Sequence, residues 1–221
     1  MKLKLYSNYM NSAGQRVRIA LACKELDYEY VSVRAMGWDA YEQINPQRLM
    51  PALEVNGQLI VQATAILESL EEQFPEPPLL SADPLIRALE RGFAQHITSE
   101  MHAIDVIRVR RFLHNGLGVD EEGLRSWQRH WFYKGLDALE AQMRDRPQPW
   151  PFCFGSAPGW ADLHLAPQLE KGITRFNMDL SAYPLLSTAY GQAKDLPAFV
   201  AARPEQQPDY PGELHEPSLQ G

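Results

Sequence analysis

The dipeptide Asn56-Gly57, set between Ala52-Leu53-Glu54-Val55 and Gln58-Leu59-Ile60-Val61, limits what this chain can fold into more than any other feature. A two-residue hairpin loop needs positive φ at both central positions, and Asn-Gly tolerates that best. Residues 52–55 and 58–61 are therefore predicted to pair as antiparallel strands. Pro51 opens the first strand at an edge, where a missing N–H costs least. After the hairpin, Ala65, Ile66, Leu70 and Phe74 keep a helical spacing that ends at Pro75. If the Met50–Pro51 bond is cis, which the residues alone do not decide, the main-chain groups of Met50 turn outward and, with the first N–H groups of the helix at Gln62-Ala63-Thr64, suit a short anionic peptide. An ordinary hairpin followed by a helix fits the same residues.

Upstream, residues 2–6 alternate charged and apolar, which reads as a strand with one buried face. An amphipathic helix follows from about Ser12 to Glu25, with Ser12 as its N-cap. Residues 28–33 read as a second strand, parallel to the first by a right-handed crossover. Residues 38–44 form a short helix closed by Asn45-Pro46. The order strand, helix, strand, short helix, hairpin, helix describes an α/β domain with a mixed sheet. Pro75, Pro77, Pro78 and Pro84 then break both helix and sheet, so a boundary separates residues 1–80 from 84–221. Beyond it the pattern is helical. Leu85, Leu89, Phe93, Ile97, Met101 and Ile104 form one stripe along a single helix to about residue 113. Leu124 to Met143 mark a second long helix, and residues 160–172 and 185–193 two more. From Arg203, Pro, Glu, Gln and Gly dominate, and a loose tail is expected.

Composition narrows the function. A charge of −7 and no basic run argue against nucleic-acid binding. No signal-peptide pattern and no membrane-length apolar run occur, and Cys23 and Cys153 suit a reduced, cytoplasmic protein better than a disulfide scaffold. His96, His102, His114, His130, His164 and His215 show no metal-ligand spacing and read as ordinary polar residues, so no metal site is expected. Asp162 lies three residues after Gly159, where its carboxylate can cap a helix, and reads as structural.

Several runs together resemble one family. They are Ser12-Ala13-Gly14-Gln15-Arg16-Val17-Arg18-Ile19-Ala20-Leu21, Asn45-Pro46-Gln47-Arg48-Leu49-Met50-Pro51-Ala52-Leu53, Gln62-Ala63-Thr64-Ala65-Ile66, Ala161-Asp162, Arg175-Phe176 and Asp179-Leu180-Ser181-Ala182-Tyr183-Pro184-Leu185. These resemble the zeta-class glutathione transferases, whose bacterial members include maleylacetoacetate and maleylpyruvate isomerases. The resemblance implies a thioredoxin-like α/β N-terminal domain, an all-α helical-bundle C-terminal domain and a homodimer. It also implies a glutathione-dependent enzyme acting on a small electrophile, with cis–trans isomerisation of a maleyl di-acid as one form of that activity. The alternative is a non-catalytic protein of the same fold that binds a ligand or partner, which Asn11, Ala13 and Ala63 keep open.

The same resemblance implies site residues. Asn11 and Ser12 fall where the family holds the glutathione sulfur, and a thiolate at a helix N-terminus is stabilised by the dipole and nearby donors. A purely capping role for Ser12 fits equally. Arg48, Met50, Pro51, Gln62 and Ala63 would bind glutathione, with Met50 pairing its backbone beside a cis Pro51. Ala63 stands where the family has Ser, a loss of one hydroxyl contact of about 0.5–1.5 kcal/mol. Substrate carboxylates fall to Arg108 and Arg175, because a guanidinium fork matches a carboxylate bidentately, while Met10 replaces a third arginine. Arg108 also follows Ile104 by four residues on the apolar stripe. That position fits either a ligand contact or a stem that snorkels past the core edge.

Overall fold

The computed structural model describes residues 1–214, 218 and 219. The chain divides into two compact units. Residues 1–79 join with 194–214 in the first, and residues 80–193 belong to the second together with 218 and 219.

The first unit runs β1 (Leu3–Ser7), α1 (Ser12–Cys23), β2 (Glu29–Ser32), α2 (Val33–Met36), α3 (Trp38–Ile44), β3 (Ala52–Val55), β4 (Gln58–Val61) and α4 (Ala63–Gln73). Its sheet has the order β2-β1-β3-β4, with β1 parallel to β2 and antiparallel to β3, and β3 antiparallel to β4. Asn56 and Gly57 have φ of 49° and 90°, as a turn with two positive φ angles requires. One expectation needs correction: β3 lies between β1 and β4 and is not an edge strand. Pro51 is tolerated because it precedes the ladder, which begins at Ala52. Val17, Ala20 and Leu21 of α1 and Ile66, Leu67 and Leu70 of α4 are buried where these helices pack. Each such side chain contributes about 1.5–3 kcal/mol by leaving water. Lys24 closes the far end of this pair. Its Nζ lies 2.7 Å from Glu71 Oε2 and donates to the carbonyls of Phe74 and Pro77 at 2.6 and 3.0 Å.

The second unit is helical. Asp83 caps α5 (Pro84–Gln95) by accepting from the N–H groups of Leu85 and Ile86 at 2.7 and 3.2 Å. The single helix expected over 85–113 is not continuous. A π-helical stretch (His96–His102) and a 3₁₀ turn (Ala103–Asp105) follow α5, and the chain then turns extended at Val106, with ψ 152°. It resumes as α6 (Ile107–Arg111) and ends in a π-helical turn at Phe112–Gly116. Then come α7 (Glu121–Arg144), α8 (Trp160–Phe176) and α9 (Pro184–Ala193). Phe93, Ile97, Met101, Leu136, Leu139, Leu165, Leu169 and Leu186 build the core. Gly172 admits the Phe132 ring, which a Cβ there would overlap. Glu140 of α7 caps α9, its two oxygens accepting from Leu185 and Leu186 N–H at 3.0 Å each.

After α9 the chain returns to the first unit as α10 (Pro197–Ala201) and a 3₁₀ turn (Pro204–Gln206). Where a loose tail is expected, residues 202–210 are tied down. The Asp209 carboxylate accepts from Tyr30 Oη and Ser32 Oγ at 2.8 Å each and from Tyr9 N–H at 3.3 Å. The run lacks apolar periodicity, so its order rests on polar anchors that composition does not reveal. His215 lies outside the described residues. No helix among the described residues is long and apolar enough to cross a membrane.

Candidate functional site

Strand register decides where the first unit concentrates its chemistry. Ala52 pairs with Tyr6 on one side and Val61 on the other, and Ser7 pairs with Ser32. The C-terminal ends of β1, β2 and β4 and the entry to β3 therefore share one end of the sheet. The segments leading from that end carry Met10, Asn11 and Ser12, then Met50 and Pro51, then Gln62 and Ala63. Seven of the residues singled out in the sequence thus gather at one sheet end.

Asn11, not Ser12, is the N-cap of α1, which corrects the sequence reading. Its φ and ψ are −103° and 102°, and its Oδ1 accepts from Gly14 N–H at 2.7 Å. That bond fixes the orientation of the amide, leaving its NH₂ on the opposite prong as a donor. Ser12 is the first helical residue, among N–H groups that have no partner within the helix. The loop before them is wired closely. Asn8 Oδ1 accepts from Met10 N–H at 3.1 Å, and Asn8 O accepts from Asn11 N–H at 3.2 Å.

The Met50–Pro51 bond is cis. The loop that delivers it is held by residues the sequence reading passed over. Asn45 is buried, and its Nδ2 donates to Leu49 O at 2.8 Å. Tyr41 Oη donates to the same carbonyl at 2.8 Å. Met50 lies just outside the β3 ladder. Gln62 has φ 73°, a left-handed conformation that a non-glycine residue adopts at a cost of order 1–3 kcal/mol. Its Nε2 donates to Gln47 Oε1 at 3.1 Å, tying the start of α4 to the same loop. Arg48 also has positive φ, 54°, and its guanidinium turns to α3, 3.1 Å from Glu42 and 3.8 Å from Asp39.

In the second unit the ground for Arg108 changes. Because the helix breaks at Val106, counting four residues from Ile104 loses its meaning, and Arg108 is exposed rather than on the inward stripe. Arg110 is the buried one. Asp105 sits beside it, with Arg110 Nε at 3.7 Å, Gln128 Nε2 donating at 3.0 Å and Lys171 in a short ion pair. Burial pushes the Lys171 ammonium down from its ordinary pKa, and Asp105 opposes that shift. Arg175, half-buried at the end of α8, lies 5.5 Å from the centre of the Phe176 ring, which Lys171 approaches at 5.1 Å. The cluster of Asp105, Arg110, Gln128 and Lys171 was missed. Its members lie on three separate stretches of chain, so no spacing in the sequence joins them.

Comparison with known proteins places these features. The N-terminal domain pattern of the glutathione S-transferases matches residues 5–78, and the C-terminal domain pattern matches residues 121–171. A maleylacetoacetate isomerase of Pseudomonas aeruginosa is 43% identical over 216 residues, covering 95% of this chain and 99% of that protein. The chain belongs to the zeta-class glutathione transferase family. The holo structure of a bacterial maleylpyruvate isomerase of the zeta class is similar with a TM-score of 0.88 and 37% identity, covering 93% of this chain and 99% of that one. A maleylacetoacetate isomerase from Anaeromyxobacter dehalogenans, with bound dicarboxyethyl glutathione and citrate, gives 0.83 and 38% over 95% of this chain and 98% of that one. The fold expected from the resemblance, a thioredoxin-like domain followed by a helical one, is the fold of this family. Neither cysteine of this transferase is poised for chemistry, since burial raises the Cys23 thiol to about 11 and pushes Cys153 up as well.

Proposed function

We propose that this enzyme uses glutathione to isomerise a cis di-acid of the maleyl class. The reading rests on the N-terminus of α1, where Ser12 occupies the first turn and the Asn11 amide is fixed by its bond to Gly14 N–H. When bound, glutathione supplies a thiolate whose reversible addition to the double bond frees rotation about it. The residues present fit that group. The Ser12 hydroxyl and Asn11 NH₂ donate to a sulfur anion at a helix N-terminus and hold the thiol below its free value of about 8.5. Met50 offers main-chain N–H and C=O outside the ladder, and the first N–H groups of α4, at Ala63, receive a carboxylate. Ala13 and Ala63 leave those main-chain donors in place, so their substitution weakens binding without abolishing it. The Arg48 guanidinium, engaged with Glu42, adds positive potential more than a direct contact. Two cysteines that remain thiols suit a reducing, cytoplasmic setting.

Arg108 and Arg175 anchor the substrate carboxylates while the centre turns. Arg108→Ala should raise KM about tenfold for a di-acid and leave a neutral electrophile such as chlorodinitrobenzene nearly unchanged, because one charged hydrogen bond is worth about 1.5–3 kcal/mol. Equal losses on both would remove Arg108 from substrate binding. Met10 supplies no charge, so Met10→Arg should improve di-acid turnover.

The test of the reading is a glutathione-dependent screen of maleyl di-acids, α-halo acids and chlorodinitrobenzene. Isomerisation outpacing conjugation supports it, and conjugation alone would assign a detoxifying transferase instead. We also propose a homodimer in which the hairpin and α4 of one copy meet α5 of another. Leu85 and Leu89, one turn apart on α5, are 66% and 38% exposed. Light scattering should then give about twice the 25.1 kDa chain mass, and a constant 25.1 kDa across micromolar concentrations would exclude the dimer.

A further inference from the structure

The loop that precedes the sulfur-holding residues is gripped from two sides by one C-terminal segment. Arg18, almost fully buried on α1, donates through Nη2 to Tyr9 O at 3.2 Å and through Nη1 to Asn8 O at 3.4 Å and Ser7 Oγ at 3.3 Å. The same guanidinium is held in place by Ala202 O, which accepts from Nε at 3.1 Å and Nη2 at 3.0 Å. Seven residues later Asp209 takes the remaining main-chain group of Tyr9, its N–H, at 3.3 Å. Asp209 is itself oriented by Tyr30 Oη and Ser32 Oγ, both at 2.8 Å. Tyr210 adds a ring contact to Tyr9, edge-on at 5.7 Å between centroids.

Both main-chain groups of Tyr9 are thus fixed, one by a cation and one by a carboxylate. The next three residues are Met10, Asn11 and Ser12. A half-buried carboxylate that accepts three hydrogen bonds is far more than a tail needs for attachment, and all of its donors lie beside β1 and β2 where the loop departs. We propose that Asp209, with Arg18, is a positioning residue that sets the Asn11 and Ser12 donors for the glutathione sulfur. The proposal rests on the glutathione-dependent reading above. Pre-organised donors lower a thiol pKa only if they are held where the anion will sit, and a displacement of a few tenths of an ångström weakens each such bond.

The experiment titrates the thiol of glutathione bound to the full chain, wild type against Asp209→Ala, and measures glutathione affinity alongside. Asp209→Ala should raise the bound thiol's pKa by about one unit. Affinity should change by less than about threefold, because main-chain contacts at Met50 and Ala63 provide most of it. Asp209→Asn, which keeps an acceptor in place, should recover part of the shift. In the glutathione-free protein, amide exchange at residues 9–14 should quicken by about tenfold in Asp209→Ala, a readout that needs no bound thiol. A folded Asp209→Ala protein whose bound thiol keeps the wild-type pKa would overturn the proposal. A wild-type protein that fails to bind glutathione would instead sink the functional reading. Should Asp209→Ala not fold, the double variant Tyr30→Phe, Ser32→Ala removes two of the three donors and keeps the carboxylate. A thiol pKa raised in that variant supports the proposal, and an unmoved one overturns it.

Discussion

Asp162→Ala should destabilise the helical unit by about 3 kcal/mol, as two charge-assisted hydrogen bonds worth about 1.5–3 kcal/mol each are lost and part of that is returned by relief of desolvation. The carboxylate is buried, and its oxygens accept from Gly159 N–H and Cys153 N–H at 3.0 Å each. The first bond closes the N-terminus of α8 and the second holds the loop before it. Without Asp162 both N–H groups lose their acceptor, and that of Cys153 is buried. Burial raises the carboxyl's pKa, and the hydrogen bonds from Gly159 and Cys153 oppose that shift. Asp162→Asn, which avoids burying a charge and keeps one acceptor, should therefore cost about half as much. Urea denaturation followed by tryptophan emission reads this, since Trp160 stands in the first turn of α8. A loss under about 1 kcal/mol for Asp162→Ala would mean that the loop rearranges to supply other acceptors.

Ser12→Ala should cut glutathione-dependent turnover at least tenfold, on the order of 1.4 kcal/mol in the barrier. The fold should not suffer, because the cap of α1 belongs to Asn11. That division makes the two variants separable. Asn11→Ala should slow turnover by less but also destabilise the unit by about 1 kcal/mol through loss of the cap. Steady-state rates and thermal midpoints for the two proteins, measured together, check both parts. Unchanged turnover in Ser12→Ala would take its hydroxyl out of the chemistry.

The parts of this molecule that follow local rules were readable in the sequence. The Asn56-Gly57 turn, both of its strands and the short helix at residues 38–44 stand where they were expected. Asp162 also does what its spacing from Gly159 suggested. The N-cap of α1 is a local exception, since Asn11 takes it from Ser12 by a bond to Gly14 N–H, but the other misses depend on partners distant in sequence. The helix expected to 113 breaks at Val106, next to Asp105, which meets Gln128 and Lys171, and no periodicity within residues 85–113 contains those partners. Beyond the break Arg108 is exposed and Arg110 is buried. A hairpin alone does not say what lies on its other side, so Pro51 reads as an edge position although β3 is central. Asp209 was hidden in a Pro- and Gln-rich run whose anchors, Tyr9, Tyr30 and Ser32, are nearly the whole chain away.

The first unit is not a continuous stretch of chain, and that bears on its birth. A ribosome finishes the sheet and α4 early, then makes all of residues 80–193 before it reaches the segment that grips the loop at Tyr9. Until residues 194–214 emerge, the buried guanidinium of Arg18 lacks the carbonyl of Ala202, and Tyr9 N–H lacks its acceptor. The nascent protein therefore carries a finished scaffold and an unfinished loop, and Asn11 and Ser12 settle only as synthesis closes.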